Sequence, residues 1–393
     1  MKNSSLGFAL FNYGFRPFFL LAGLYAVIAI LIWLIIQMSG IWPVGTPTSY
    51  LWHAHEMLYG FAGAAIAGFL LTAVPSWTGQ RGFSGAPLLL LVMVWLAGRL
   101  VLPFYGNLPA VLIAFVDLAF FPALGLMLTP SLIKGKSRNL VFLLFLLFLF
   151  SANLIFHVAL AQNDVAFASY GLLFGINIVL LIIAIIGGRI VPAFTLSAIR
   201  RTDDTFVIMP FPALDRIAVA SILLVLITDL IWPYSVTAGW LALVAALIHS
   251  VRFVRWKTLR GLGEAIVWIL HIGYAWVIIG LALKGLFLLT GAAFSAAWLH
   301  AITTGAFATM IMAVMTRAAL GHTGRPLIAP PLIVVAYVLI TLSAIIRVAG
   351  PVFPDIYLYS IAVSGLLWTV AFTLFLVVYT PILIKPRIDG KPG

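Results

Sequence analysis

The chain contains no cysteine. That absence removes disulfides, Cys-ligated iron–sulfur clusters, thiolate metal ligands and Cys-x-x-Cys-His haem attachment. Any metal must therefore be held by histidine, methionine, carboxylate or tyrosine oxygen. Charge is almost as scarce: only 8% of the 393 residues are charged, and 10 are Asp or Glu against 22 Lys or Arg. Also missing are a Walker A motif, a dinucleotide fingerprint after a strand and a nucleophile elbow. No small-residue cleavage pattern follows the first apolar run, which is too long for a signal-peptide core and is expected to be a retained span.

What is present is apolar. The chain is 64% hydrophobic, with 29 Phe, 12 Trp and 12 Tyr, more apolar surface than a soluble domain can cover. We expect an all-α polytopic membrane helix bundle, a single integral-membrane domain over residues 1–393, with about twelve transmembrane runs of roughly 18–25 residues. They fall near 17–38, 52–75, 87–104, 108–129, 139–161, 166–187, 212–232, 236–255, 264–289, 296–317, 328–349 and 357–384. Turn chemistry separates them, as at Thr46-Pro47, Gly79 to Gly85 and Pro330-Pro331. No internal repeat emerges. The net charge of +12 lies in short loops, where it orients the protein rather than binding nucleic acid. With a cytoplasmic N-terminus, only Arg99, Lys284 and Arg347 of the 22 Lys and Arg fall on the far side. Both termini are therefore expected in the cytoplasm.

The densest chemistry is Trp52-His53-Ala54-His55-Glu56-Met57 at the mouth of the second run. Ionisable groups at or inside a bilayer usually mark function. On a regular helix the rings of His53 and His55 leave the axis about 200° apart, so one helix can serve two centres. In this orientation His53, His55, His157 and His300 share the outer leaflet. They form the candidate haem or metal site: His53 or His55 together with His157 and His300. Glu56 and Asn153 are the groups that would orient a ligating ring, and Met57 is a further candidate. Gly60, Gly63, Ala64, Ala67 and Gly68 form a small-residue stripe, which serves close helix packing or gives room for a flat cofactor.

A weaker group lies on the inner side. His271, with Tyr274 one turn away, is the reserve ligand for a separate centre. His249 is near an inner helix end, and His322 sits in a glycine-rich loop where ordering the loop is its simpler role. Asp117 is a lone carboxylate in mid-span, expected to be protonated or paired, with Arg99 or Lys284 as possible partners.

Several stretches together resemble the NnrS family. They are Gly14-Phe15-Arg16-Pro17-Phe18-Phe19, Trp52-His53-Ala54-His55-Glu56-Met57, Gly68-Phe69-Leu70-Leu71-Thr72-Ala73-Val74-Pro75-Ser76-Trp77-Thr78-Gly79, Gly187-Gly188-Arg189-Ile190-Val191-Pro192 and Gly321-His322-Thr323-Gly324-Arg325-Pro326-Leu327. The resemblance implies a bacterial inner-membrane protein carrying haem and copper that protects against nitric oxide in a denitrification context. It supplies neither an agreed reaction nor ligand assignments. Whether the protein is an enzyme stays open: a secondary transporter of a metal or small solute and a nitric-oxide-converting oxidoreductase are the alternatives. The lipid bilayer is an expected partner, as is nitric oxide or a related small molecule.

Overall fold

The computed structural model describes residues 9–41 and 48–390. The Thr46-Pro47 turn lies outside the described residues. Among those described there is no strand, and the long elements are helices. In order they are α1 (Phe15–Ser39), α2 (Ser49–Thr78), α3 (Ala86–Phe104), α4 (Ala110–Lys134), α5 (Arg138–Ala161), α6 (Val165–Ile199), α7 (Pro212–Ile231), α8 (Val236–Arg255), α9 (Ala265–Thr290), α10 (Ala293–His322), α11 (Pro331–Val352) and α12 (Pro354–Ile384). Eleven are long and apolar enough to cross a membrane. The remaining one, α7, has 20 residues and carries Asp215, Arg216 and Asp229. The chain is thus an all-α polytopic membrane protein of about twelve helices, each long enough for a hydrocarbon layer of roughly 30 Å at about 1.5 Å per residue.

The chain divides into two compact units: Met1–Gly175 with Ala318–Leu327 and Phe372–Gly393, and Ile176–Arg317 with Ile328–Ala371. In the first unit α1 packs on α2. Arg16 is fully buried at the start of α1 and donates to the carbonyls of Leu383 (2.8 Å) and Lys385 (2.7 Å). It thereby satisfies orphan groups at the C-terminal end of α12. Gly14 is required by close approach, since a Cβ there would lie 2.3 Å from the Leu71 Cβ. The ring of His322 stacks on Tyr13 (6.1 Å) and lies 5.7 Å from that of Phe15. The next two residues tie the corner to the chain end: Ile388 N–H donates to the Thr323 carbonyl at 3.3 Å, and Gly324 turns with φ 75°. The Gly-His-Thr-Gly stretch is therefore a packed corner.

The small-residue stripe of α2 is filled by rings of neighbouring helices. A Cβ on Gly60 would lie 2.3 Å from Tyr25, and one on Gly68 would lie 2.6 Å from Phe19. In this unit the stripe serves packing.

In the second unit, α7, α8 and α9 pack side by side. Each charge that α7 buries or half-buries meets a partner. Asp229 pairs with Lys284 of α9 and accepts from Asn177 Nδ2 at 2.8 Å. Asp215 accepts from Arg252 Nε of α8 at 2.7 Å.

Candidate functional site

Five helices of the first unit bring their polar groups to one point. On α2 the α-helix runs to His55 and then widens into a π-turn over Glu56–Ala62, a local feature often found at functional sites. His55 and Glu56 are fully buried. The ring of His53 points the other way and stacks on Trp33 of α1 at 4.3 Å, as expected for residues two apart on a helix. Met57 is half-buried in the π-turn.

Asp117 of α4 is the centre. Its Oδ2 accepts from His157 Nε2 (2.9 Å) and Asn153 Nδ2 (2.7 Å), both on α5, and lies 3.2 Å from His55 Nε2. Its Oδ1 pairs with the Arg99 guanidinium of α3. Gly98 makes room for this carboxylate, since a Cβ there would sit 2.8 Å from Asp117 Oδ1. Arg99 also reaches Glu56 Oε2 at 3.5 Å, and Tyr25 of α1 donates to the same oxygen. Glu56 Oε1 lies 2.9 Å from His55 Nδ1, and Asn153 Oδ1 lies 2.9 Å from His55 Nε2. Both nitrogens of His55 therefore meet oxygen acceptors. His157 Nδ1 is buried without a hydrogen-bond partner.

The rings close the site. Phe156 stacks on His55 at 4.6 Å and Tyr59 lies against it at 4.7 Å. Tyr105 stacks on His157 at 6.3 Å, and burial raises its hydroxyl pKa above the ordinary tyrosine value. Tyr105 and Phe156, with Trp52 and Leu102, also line a cleft of about 10 Å³, about the space of one water.

His55, Asp117 and His157 each present one ligand atom, all within 4.8 Å of one another, so the group could hold a metal ion. Asp117 Oδ2 lies 2.9 and 3.2 Å from the two imidazole nitrogens, hydrogen-bonding distances that a bound ion would open to the roughly 3.3–3.6 Å spacing of tetrahedral ligands.

The chain also matches a family model described as NnrS protein over residues 9–387. It belongs to the NnrS family. Family membership makes it a membrane protein related to the nitric oxide response. No curated protein matches it.

The other histidines fall elsewhere. His300 belongs to the second unit, is half-buried, and immediately precedes a second π-turn over Ala301–Ala308. The Thr195 hydroxyl donates to the Val191 carbonyl at 2.7 Å, so His271 Nε2–H is the donor to Thr195 Oγ1 at 2.7 Å. His271 Nδ1 then accepts from Thr258 at 3.0 Å. His249 is held between Tyr274 (2.7 Å) and the Ala218 carbonyl (3.1 Å). Tyr274 in turn accepts from Arg252 at 2.9 Å. Tyr25 and Tyr59 had no signal in the sequence beyond being aromatic residues in apolar runs. Arg99 was legible as a possible partner of Asp117.

Proposed function

We propose that the protein is a copper-dependent component of the defence against nitric oxide, with the ion held by His55, Asp117 and His157. The role rests on the family; the ion rests on the convergence of three buried ligand atoms. Charge favours a cation here. Glu56 and Asp117 are two buried carboxylates beside one guanidinium, Arg99, and the remaining positive charge would come from a protonated His55 or from a bound cation that replaces its proton. Imidazole accepts copper as it does zinc, iron and nickel, and copper is bound most tightly of the divalent first-row ions by a given nitrogen and oxygen site. Copper, when bound, supplies a redox-capable Lewis-acid centre for a nitrogen oxide. The chain's own groups do the positioning. Glu56 fixes the His55 ring through Nδ1, Asn153 bridges His55 and Asp117, and Arg99 holds the second carboxylate oxygen. The cleft beside Phe156 and Tyr105 suits a diatomic molecule better than a larger solute. We place the protein in the bacterial inner membrane, with both termini cytoplasmic.

Haem does not fit at this cluster. The faces of the His55 ring are covered by Phe156 and Tyr59, at 4.6 and 4.7 Å, which leaves no space for a porphyrin beside it. No step is assigned to haem.

The test is copper and haem content per folded protein after changing each of the seven histidines to Ala, with Asp117→Asn alongside. His55→Ala, His157→Ala and Asp117→Asn should empty the copper site. Asn153→Ala should weaken binding roughly ten- to hundredfold, as expected for a group that orients a ligand. Loading lost in the His249, His271 or His322 variants but kept in the first three would overturn the assignment. In cells, deletion should raise sensitivity to nitric oxide. An unchanged nitric oxide dose response with defective solute uptake would favour a transporter instead, and turnover of nitric oxide with a reductant would make the protein an oxidoreductase.

A further inference from the structure

The second unit contains a cavity of about 270 Å³ between the late part of α6, the segment before α7 and the last turn of α8. Three arginines, Arg189, Arg252 and Arg255, line it against one carboxylate, Asp215. Its remaining wall is apolar and includes Met209, Phe211 and Trp256. This combination of positive excess and apolar wall is unlike the copper cluster, and the proposed function does not use it.

Arg252 is built into the cavity rather than draped over it. It is 3% exposed. Nε donates to Asp215 at 2.7 Å, and Nη1 donates to the Ala184 carbonyl (2.8 Å) and to Tyr274 (2.9 Å). Its Nη2 lies over Gly188, where a Cβ would come within 1.8 Å. The Gly-Gly-Arg stretch of α6 therefore exists in part to let this guanidinium lie against the helix. The exposed Arg255 guanidinium carbon lies 4.9 Å from the centroid of Phe211. An arginine at the cavity rim offers a fork of N–H donors that can match a phosphate bidentately.

Depth argues the same way. α6 has 35 residues, about 52 Å at about 1.5 Å per residue, against a hydrocarbon layer of about 30 Å. Its last turns, from Gly188 onward, therefore stand at headgroup level, on the side where the chain gathers its basic loops. A basic pocket with an apolar wall at that level has the character of a site for an anionic lipid headgroup.

We propose that this cavity binds a phosphate-bearing anion, with Arg252 and Arg255 as its ligands and the apolar wall receiving the start of an acyl chain. The test uses full-length protein in neutral detergent and native mass spectrometry. Phosphatidylglycerol, phosphatidylcholine and inorganic phosphate are added separately. Phosphatidylglycerol should be retained in preference to phosphatidylcholine. Arg255→Gln should weaken that retention on the order of fivefold, the expected effect of one basic group near a charged headgroup, and Arg255→Glu should weaken it further. Arg252→Gln should do the same, but it also breaks the contacts to Asp215 and Tyr274, so the exposed Arg255 carries the test. Gly188→Leu should fill the cavity and displace the Arg252 guanidinium, which lies within 1.8 Å of a Cβ there, and so abolish retention. If phosphatidylglycerol binds and millimolar phosphate does not displace it, the source is lipid. If phosphate alone binds and depends on Arg255, the source is the free anion. Equal retention of both lipids, or retention unchanged by Arg255→Glu and Gly188→Leu, overturns the site.

Discussion

The pair α1–α2 in the first unit and the pair α9–α10 in the second share one frame. In each, a π-turn begins one residue after a histidine: Glu56–Ala62 after His55, and Ala301–Ala308 after His300. In each, a glycine five residues past that histidine seats an aromatic ring of the preceding helix. A Cβ on Gly60 would lie 2.3 Å from Tyr25, and one on Gly305 would lie 2.5 Å from Trp276. α2 ends at Thr78 and is followed by left-handed Gly79 (φ 66°), whereas α10 ends at His322, within the first unit, and is followed by Thr323 and left-handed Gly324 (φ 75°). The frame repeats but the chemistry does not. His55 is fully buried and followed by Glu56; His300 is half-buried and followed by Ala301. The lesson is that the wide turn and the glycine seat are properties of packing, while a buried histidine followed by a carboxylate occurs in one copy only.

The largest effects should come from the buried charges, and they sharpen the contrast. Removing one partner of a buried ion pair costs about 3–5 kcal/mol, whereas replacing both with apolar groups is often near neutral. Lys284→Met and Asp229→Leu should each lower the unfolding midpoint in detergent, and the double variant should recover most of the loss. In the first unit, Arg99→Met with Asp117→Leu should not recover, because His55, His157 and Glu56 remain buried without their counter-groups. Recovery in both units would erase the distinction between a structural pair and a site.

The shared frame is tested next. Gly60→Leu and Gly305→Leu each force a side chain into a seated ring and should cost about 1–3 kcal/mol by overpacking. Comparable losses support a common packing role. A loss at Gly60 alone would mean that the second seat is slack and the likeness superficial. The smallest effect is expected at His300. His300→Gln should change stability by no more than about 1 kcal/mol and leave copper content intact, whereas His55→Gln should empty the site. Copper lost in both variants would break the comparison.

Much of the fold was legible because hydropathy alone marks segments of bilayer length. The need of Asp117 for a partner was legible too, since a mid-span carboxylate must be paired or protonated, and Arg99 was one of the two candidates. The opposite facing of His53 and His55 followed from helical geometry. Other features were not readable. His271 looked like the best inner ligand, but hydroxyls of Thr195 and Thr258, 76 and 13 residues away in sequence, engage both its nitrogens. Tyr25 reaches Glu56 only through the packing of α1 on α2. The repeated frame left few identical residues, because only the glycine seat and the left-handed glycine constrain residue type, and the wide turn arises from tertiary packing.

The charges of α7 bear on how the protein is made. Asp229 finds its counter-ion only in Lys284, 55 residues further on, and Asp215 finds its own in Arg252, 37 residues on. While α7 leaves the ribosome neither partner exists, and a charge at a helix centre costs about 2.5–3.5 kcal/mol to insert, less toward the ends where these two sit. A chain stopped after α7 should therefore hold that helix across the bilayer less completely than one extended through α9, as read by labelling of a cysteine placed at Val236. On that expectation, the commitment of α7 to the membrane would be completed by sequence translated after it, with α7, α8 and α9 entering the bilayer as a cooperative group.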